Sequence, residues 1–367
     1  MLDEKFNDMA IRQFEAAVPH MHEYWVISKS ARLTKSPLHK CCTRDQLIAR
    51  LNQRDVVGVV FHSLPSSNYS ILKNIPFNLV AVWLGWGYDY YSIIDQLGNS
   101  PLILDKTKRL LGLSARDRVR RNIRFLINNL LGKTIRSTKV LKRIDIFSPV
   151  LDLEFDLVSN NLDLQARYVE WNYGTAEDDF SVSDKSFADG NNILVGNSAS
   201  ATNNHIELFD KIAQQVNIGQ RKLIVPLSYG DPRYRDKVVE VGKTMFGENF
   251  VPLVDFMPIE QYLSIVRSCE FVMMNHLRQQ AVGNVCMAML QGSKVYLNDA
   301  NPLSDWLARR GAVFGSINNL DMFSLSPIDK LTNSKLVYSH WGRDVQILKT
   351  TNLIDAILCK KKERIEV

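Results

Sequence analysis

From Ile193 to Leu297, short apolar runs alternate with stretches of helical periodicity, joined by brief polar loops. The runs are Ile193–Val195, Lys222–Leu227, Phe250–Val254, Phe271–Met274 and Lys294–Leu297. Between them, His205–Val216 places Ile206, Phe209, Ile212 and Val216 on one helical face. Val238–Met245, Ile259–Ser268 behind Pro258, and Gly283–Gln291 before Gly292 repeat the pattern. A chain that returns through a helix after every strand can only lay its strands parallel, with helices covering both faces. Ligands of such sheets bind outside the carboxyl ends of the strands.

The first half is less regular but similar in kind. Val56–Phe61 and Leu79–Leu84 read as strands, with Tyr24–Ile27 and Ala166–Val169 as further candidates. At 367 residues, 46% hydrophobic and 23% charged, the chain suits two soluble α/β domains with substantial cores. The boundary is expected in Gly174–Asn191, which is rich in Asp, Ser, Gly and Asn. The expected division is therefore 1–178, 190–335 and a terminal helical segment 336–367, with Val337–Leu358 as the helix. Met1–Lys5 lacks the apolar core of a signal peptide, and no run approaches the roughly 18 apolar residues of a membrane span. Cys41, Cys42, Cys269, Cys286 and Cys359 form no CxxC pair, so a reduced cytoplasmic protein without structural zinc is expected.

The net charge of +6 is unevenly spread. Thirteen Lys and Arg fall between Lys106 and Arg143, with Asp105 and Asp117 the acids in or beside the stretch. Leu110, Leu111, Leu113, Val119, Ile123, Phe125, Leu126, Leu130 and Leu131 are interleaved with them. This helical insertion, 106–143, fits a helix on an anionic membrane surface, a nucleic-acid patch, or a surface helix whose apolar stripe enters the core.

Chemistry concentrates in two loops. Ile193-Leu194-Val195-Gly196-Asn197-Ser198-Ala199-Ser200 is a strand ending on a glycine and a small polar loop. It leads through Thr202-Asn203-Asn204-His205 into a helix, an arrangement suited to an anionic ligand. Gly196, Asn197, Ser198, Ser200, Asn204 and His205 are the candidate contacts. The second segment, His276-Leu277-Arg278-Gln279-Gln280-Ala281-Val282-Gly283-Asn284, also follows a strand and opens a helix. Arg278 and the backbone N–H groups near Gly283 and Asn284 could clamp a diphosphate, and Gln279 and Gln280 could bind hydroxyls. The alternative is that Arg278 lies on the surface and Gly283 only starts a helix. His205 and His276 could contact phosphate or be structural. Tyr229, in a loop, is a better candidate than Tyr262 to stack on a nucleobase. Two such domains facing each other across a cleft, with a C-terminal helix, describe the GT-B arrangement of glycosyltransferases.

With these residues in view, the sequence resembles glycosyltransferase family 56. The resemblance runs collinearly through Ile193–His205, Val225-Pro226-Leu227-Ser228-Tyr229-Gly230, Arg278-Gln279-Gln280 with Gly283, Gln291-Gly292, and Leu297-Asn298-Asp299-Ala300-Asn301-Pro302. It extends more weakly to Trp83–Tyr90 and Trp341. It implies a transferase moving a deoxyamino sugar of N-acetylfucosamine type, from a dTDP- or other nucleotide-activated donor, to a polyprenyl-diphosphate-linked saccharide. Such an enzyme would serve O-antigen or enterobacterial common antigen synthesis, a branch of surface-polysaccharide and lipopolysaccharide assembly, as a peripheral protein on the cytoplasmic membrane face. The family usually begins with an apolar strand and loop, whereas this chain begins near the helix Phe6–Ala17, so an acceptor-side loop is expected to be missing or rebuilt.

In that reading no metal or other cofactor is expected, and the departing charge falls to Arg278 and the helix-start N–H groups. A base should come from the N-terminal domain. Asp89, after the turn Gly85-Trp86-Gly87, is the first candidate, or else it caps the helix beginning near Tyr90. His62 at a strand end is the second, or else a packing residue. Asp152-Leu153-Glu154-Phe155-Asp156 and Glu177-Asp178-Asp179 read as solvated acid clusters rather than metal sites. The competing functions are a nucleotide-sugar epimerase or hydrolase on the same fold, and a non-catalytic basic binding protein. The expected partners are the nucleotide sugar, the lipid-linked acceptor and an anionic membrane surface, not nucleic acid.

Overall fold

The computed structural model describes residues 1–4, 6–96, 102–112, 139–181, 187 and 190–366. The chain divides into two compact units. One holds the described residues of Met1–Ser100, Ile123–Thr175 and Trp341–Val367, the other those of Pro101–Asn122 and Ala176–His340.

In the first unit a short parallel pair, β1 (Tyr24–Ile27) and β2 (His39–Cys42), precedes a parallel sheet of β3 (Gly58–His62), β4 (Val80–Leu84), β5 (Ile146–Ser148) and β6 (Arg167–Tyr168). The order is β3-β4-β5-β6, with Trp83 of β4 opposite both Phe61 and Phe147. Every residue of β4 is fully buried, as expected for an inner strand of a sheet covered on both faces. One face meets the helix Asn7–Ala17 through Ala10, Ile11 and Phe14.

The terminal segment, read from sequence as one helix, is two. Pro327–Trp341 ends before Gly342, whose extended backbone separates it from Arg343–Glu363. The second helix completes the first unit: Leu353 and Ala356 pack with Val80, Val82, Leu84 and Trp171. A polar seam runs beside them. Gln13 donates to Gln346 Oε1 (3.1 Å) and to the Asn172 carbonyl (2.9 Å), and Trp171 Nε1 donates to Thr350 Oγ1 (2.9 Å). These buried partners leave no polar side chain of the seam to be satisfied by apolar neighbours, which is why the helix shows no clean apolar stripe in sequence.

The second unit carries β7 (Asn192–Val195), β8 (Leu223–Pro226), β9 (Phe250–Leu253), β10 (Cys269–Met274), β11 (Lys294–Leu297) and β12 (Gly315–Ser316). They form one parallel sheet in the order β12-β11-β10-β7-β8-β9. The chain builds outward from β7 to β9, then crosses back to place β10 on the other side of β7. Its core joins Ile193, Val195, Phe209, Ile212, Val225, Tyr234, Phe271 and Tyr296. The helix expected over Val238–Met245 starts earlier, at Pro232. Asp231 caps it by accepting the Arg233 N–H (2.9 Å), and Pro232 occupies the first turn.

Most of the basic stretch, 113–138, lies outside the described residues. Its described beginning, Asp105–Leu110, is a short helix held to the helix His205–Gln215. Thr107 N–H and hydroxyl both reach Glu207, and Lys106 pairs with Asp210. Glu177–Asp179, expected in a linker, lies in a π-helical turn, Ala176–Phe180, that packs on the helix Val282–Leu290.

If the terminal helix is integral to the first unit, Leu353→Ala should destabilise that unit by roughly 2–5 kcal/mol, the range for an apolar side chain deleted from a packed core. Urea denaturation followed by tryptophan fluorescence, reported by buried Trp83 and Trp171, measures it; a change below about 0.5 kcal/mol would exclude the packing described here.

Candidate functional site

β7 and β10 are neighbours in the sheet but come from opposite directions of chain winding. Helices after such strands pass to opposite faces, so the loops leaving them part and form a crevice at the carboxyl ends. The two loops singled out in the sequence are the ones that leave β7 and β10.

The first loop turns at Gly196, which has φ +69°. A Cβ there would stand 2.7 Å from both Asn203 Oδ1 and His205 Nε2, so only glycine fits. The loop after β8 is sewn to it: Ala199 N–H donates to the Tyr229 carbonyl (2.7 Å) and Asp231 N–H to the Ala199 carbonyl (2.9 Å). Gly230, at φ +123°, permits that approach, since a Cβ would lie 2.4 Å from the Ala199 oxygen. Tyr229 is thereby set with its ring half exposed and its hydroxyl accepting from Asn197 Nδ2 (2.8 Å).

The second loop enters its helix through Ala281, which has left-handed φ +59°. Arg278 is half-buried, and its guanidinium donates to the Gln279 carbonyl (2.7 Å). Gln280 bridges the two loops: its Nε2 donates to Asn197 Oδ1 (3.1 Å) and its Oε1 accepts from Thr202 (2.7 Å). Ser200 Oγ lies 2.9 Å from Thr202 Oγ1. Ser200, Thr202, Tyr229, Arg278, Gln280 and Asn284 thus keep exposed or half-buried surface around the two loops.

Several expected contacts lie beneath this surface instead. Asn204 is fully buried; its Oδ1 accepts the Leu104 N–H (2.8 Å) and its Nδ2 donates to the Asn275 carbonyl (3.1 Å). His205 is also buried, with Nδ1 against Tyr234 OH (3.1 Å), and burial depresses its pKa to about 3. His276 is buried with Nε2 between Asn203 Oδ1 (2.9 Å) and Asn197 Oδ1 (3.2 Å), and burial lowers its pKa well below the ordinary value. Both imidazoles are neutral at pH 7, so neither offers positive charge to a phosphate. Ser198 and Gln279 are likewise buried. Gly283 packs toward Phe180, where a Cβ would make contact at 3.3 Å, and Asn284 donates to Tyr262 OH (3.0 Å). That bond ties Tyr262 into the scaffold.

In the first unit, Asp89 lies inside the first turn of the helix Tyr88–Gln96 rather than ahead of a helix beginning near Tyr90. It is 2% exposed, and its carboxylate accepts from Leu64 N (2.9 Å), Trp83 Nε1 (2.8 Å) and Trp86 N (3.0 Å). Burial lifts its pKa above the ordinary value while the three N–H groups pull the other way. A carboxylate so occupied orders the Gly85–Gly87 turn. His62 is buried among Phe14, Trp171 and Tyr173, with Nδ1 2.9 Å from Tyr173 OH. Glu154 belongs to a helix start, accepting from Leu151 N (3.0 Å) and Tyr90 OH (2.9 Å). Among the described residues no three His, Cys, Asp or Glu side chains come together to hold a metal ion.

Residues 148–326 match the sequence model of the family described as 4-alpha-L-fucosyltransferase, glycosyl transferase group 56. This stretch belongs to glycosyltransferase family 56. Both crevice loops fall inside the family 56 region, whereas Asp89 and His62 fall outside it. The fold is that of GT-B glycosyltransferases. HepE from Anabaena, solved with UDP and glucose, is similar with a TM-score of 0.57 at 12% identity, over 100% of this chain and 97% of that one. A glycosyltransferase from Rickettsia africae gives 0.54 at 10% identity, over 100% and 96%. Sucrose-phosphate synthase from Thermosynechococcus elongatus gives 0.55 at 13% identity, over 98% and 93%.

Sequence reasoning quoted Thr202 and Asn203 only as part of the path into the helix. The signal was there in the run of hydrogen-bonding side chains from Asn197 to His205, but not which of them face inward.

The buried histidines make stability depend on pH. His205 stays neutral when folded down to about pH 3, while in the unfolded chain it charges near its ordinary value of 6.5. Its contribution is therefore complete above pH 6.5 and is lost as pH falls toward 3. Between pH 6.5 and 5 the loss from His205 alone should be on the order of 1–2 kcal/mol. Urea midpoints of the wild type and His205→Gln at both pH values test this; equal pH slopes would contradict it.

Proposed function

We propose that this family 56 glycosyltransferase moves a deoxyamino sugar of N-acetylfucosamine type, from a dTDP- or other nucleotide-activated donor, to a polyprenyl-diphosphate-linked saccharide. The observation that carries the reading is the pair of loops at the carboxyl ends of β7 and β10, which lie within the region matching a fucosyltransferase family and are joined through Gln280 to Asn197 and Thr202. HepE, of similar fold, was solved with UDP and glucose, which supports a nucleotide sugar as the ligand class.

Arg278 and the unpaired first-turn N–H groups of the helix Val282–Leu290 would take up the charge of the departing diphosphate, in a reaction proposed to run without metal. The exposed ring of Tyr229 would stack on the base. Asp89 would act by holding its turn, and His62 by fixing Tyr173, so that both shape the N-terminal unit rather than exchange protons with substrate. The lipid-linked acceptor would place the protein at the cytoplasmic membrane face in surface-polysaccharide synthesis. No helix of the described residues is long and apolar enough to cross a membrane.

A mass-spectrometric screen of nucleotide sugars against a synthetic polyprenyl-diphosphate saccharide tests the reaction. Transfer with release of nucleoside diphosphate is the expected result. Turnover of the nucleotide sugar without acceptor would indicate an epimerase or hydrolase instead. Arg278→Ala should weaken nucleoside diphosphate binding by about tenfold or more, the scale of one charge-assisted contact, with little change in melting temperature. Calorimetric titration measures this, and an affinity equal to wild type would remove Arg278 from the site.

A further inference from the structure

The bonds beneath the crevice carry more information than their distances. Asn203 is fully buried, and the main chain alone fixes its amide orientation. Its Nδ2 lies 3.1 Å from the carbonyl oxygens of Ser198 and Ser200, which can only accept. Its Oδ1 lies 2.9 Å from the Asn197 N–H, which can only donate. From this fixed point the direction of each neighbouring bond follows. His276 Nε2, 2.9 Å from Asn203 Oδ1, must carry a proton. Burial keeps that imidazole neutral, so Nδ1 carries none.

The Asn197 atom 3.2 Å from His276 Nε2 must then be the acceptor, Oδ1. Its Nδ2 is left to donate to Tyr229 OH. Gln280 must meet Asn197 Oδ1 with its Nε2, so its Oε1 faces Thr202 and accepts from that hydroxyl. Thr202, having given its proton to Gln280, accepts from Ser200. One hydrogen of the Gln280 amide is used on Asn197, and the second has no acceptor among the described residues.

We propose that Asn203 is a positioning residue that sets the polarity of this whole network, holding His276 as the Nε2-protonated tautomer and turning an amide N–H of Gln280 toward the ligand. The crevice rim then presents a neutral donor beside Arg278, suited to an acceptor-rich group such as a nucleoside diphosphate and unsuited to a cation. The proposal rests, for its ligand, on reading these loops as the nucleotide-sugar site. Its internal part, the tautomer, does not.

The test has two arms on the full-length chain. Nitrogen-15 NMR of histidine-labelled protein at pH 7 reads the tautomer directly. A protonated Nε2 and bare Nδ1 at His276, assigned by comparison with His276→Gln, is expected. The opposite tautomer, or a doubly protonated ring, overturns the proposal. Because Asn203→Ala removes buried partners of the main chain and so compromises the fold itself, the second arm uses half-buried Thr202. Thr202→Val deletes the hydroxyl that pins Gln280 Oε1 and should weaken UDP and dTDP binding about three- to tenfold, while Thr202→Ser keeps it within about twofold. Thr202→Val binding either nucleotide as wild type does would overturn the assigned role of Gln280. If wild type binds neither nucleotide, the sugar-donor reading and the ligand part of the proposal fall together, and the NMR result alone decides the polarity.

Discussion

The strand order of the second unit is the constraint on which the candidate site depends. β7 lies between β8 and β10, so successive crossovers leave it in opposite directions. Right-handed crossover connections then put the following helices on opposite faces. The space between the two departing loops is a product of topology before any side chain is chosen. The sequence need only supply residues small enough to let the loops close on each other, as Gly196 and Gly230 do, and polar enough to satisfy the main chain once they have closed.

That second requirement explains the chemical character of the site. The loops meet in a fully buried layer of Asn203, Asn204, His205, Asn275 and His276, where an unpaired polar atom costs on the order of 1–3 kcal/mol. Neutral amides and imidazoles meet most of the demand because each both donates and accepts, with His205 Nε2 and His276 Nδ1 left without a partner among the described residues, and none brings an ionic desolvation cost. Charge is kept for the rim, at Arg278. The first unit follows the same rule with a different group: Asp89 is buried, and three N–H donors surround its carboxylate. In both units buried polar side chains hold loops in place.

The parallel sheet of the second unit was legible because its strands are apolar runs bounded by clear helical periodicity; Lys294–Leu297 is a strand in both readings. The early start of the helix at Pro232 was written in Asp231-Pro232, but the apolar periodicity marks the helix only from Val238. In the first unit β5 is only Ile146–Ser148 and follows a basic stretch, too short for alternation to mark it. The terminal break at Gly342 was missed because apolar residues continue on both sides of it. For the site, both loops could be found from the sequence, since glycine, small polar residues and a following helix are local signals. Which side chains face the crevice could not. Asn204 and Ser200 are chemically similar neighbours, and only the distant partners Leu104 and Asn275 bury one and leave the other half exposed.

The return of the helix Arg343–Glu363 to the first unit has a consequence for how the chain is made. The second unit is nearly continuous in sequence and can close as soon as it leaves the ribosome. The first unit cannot: the face of β4 that receives Leu353 stays uncovered until the helix Arg343–Glu363 emerges. The unit whose synthesis begins first is therefore completed after the other, and until then its sheet has an apolar face in need of protection.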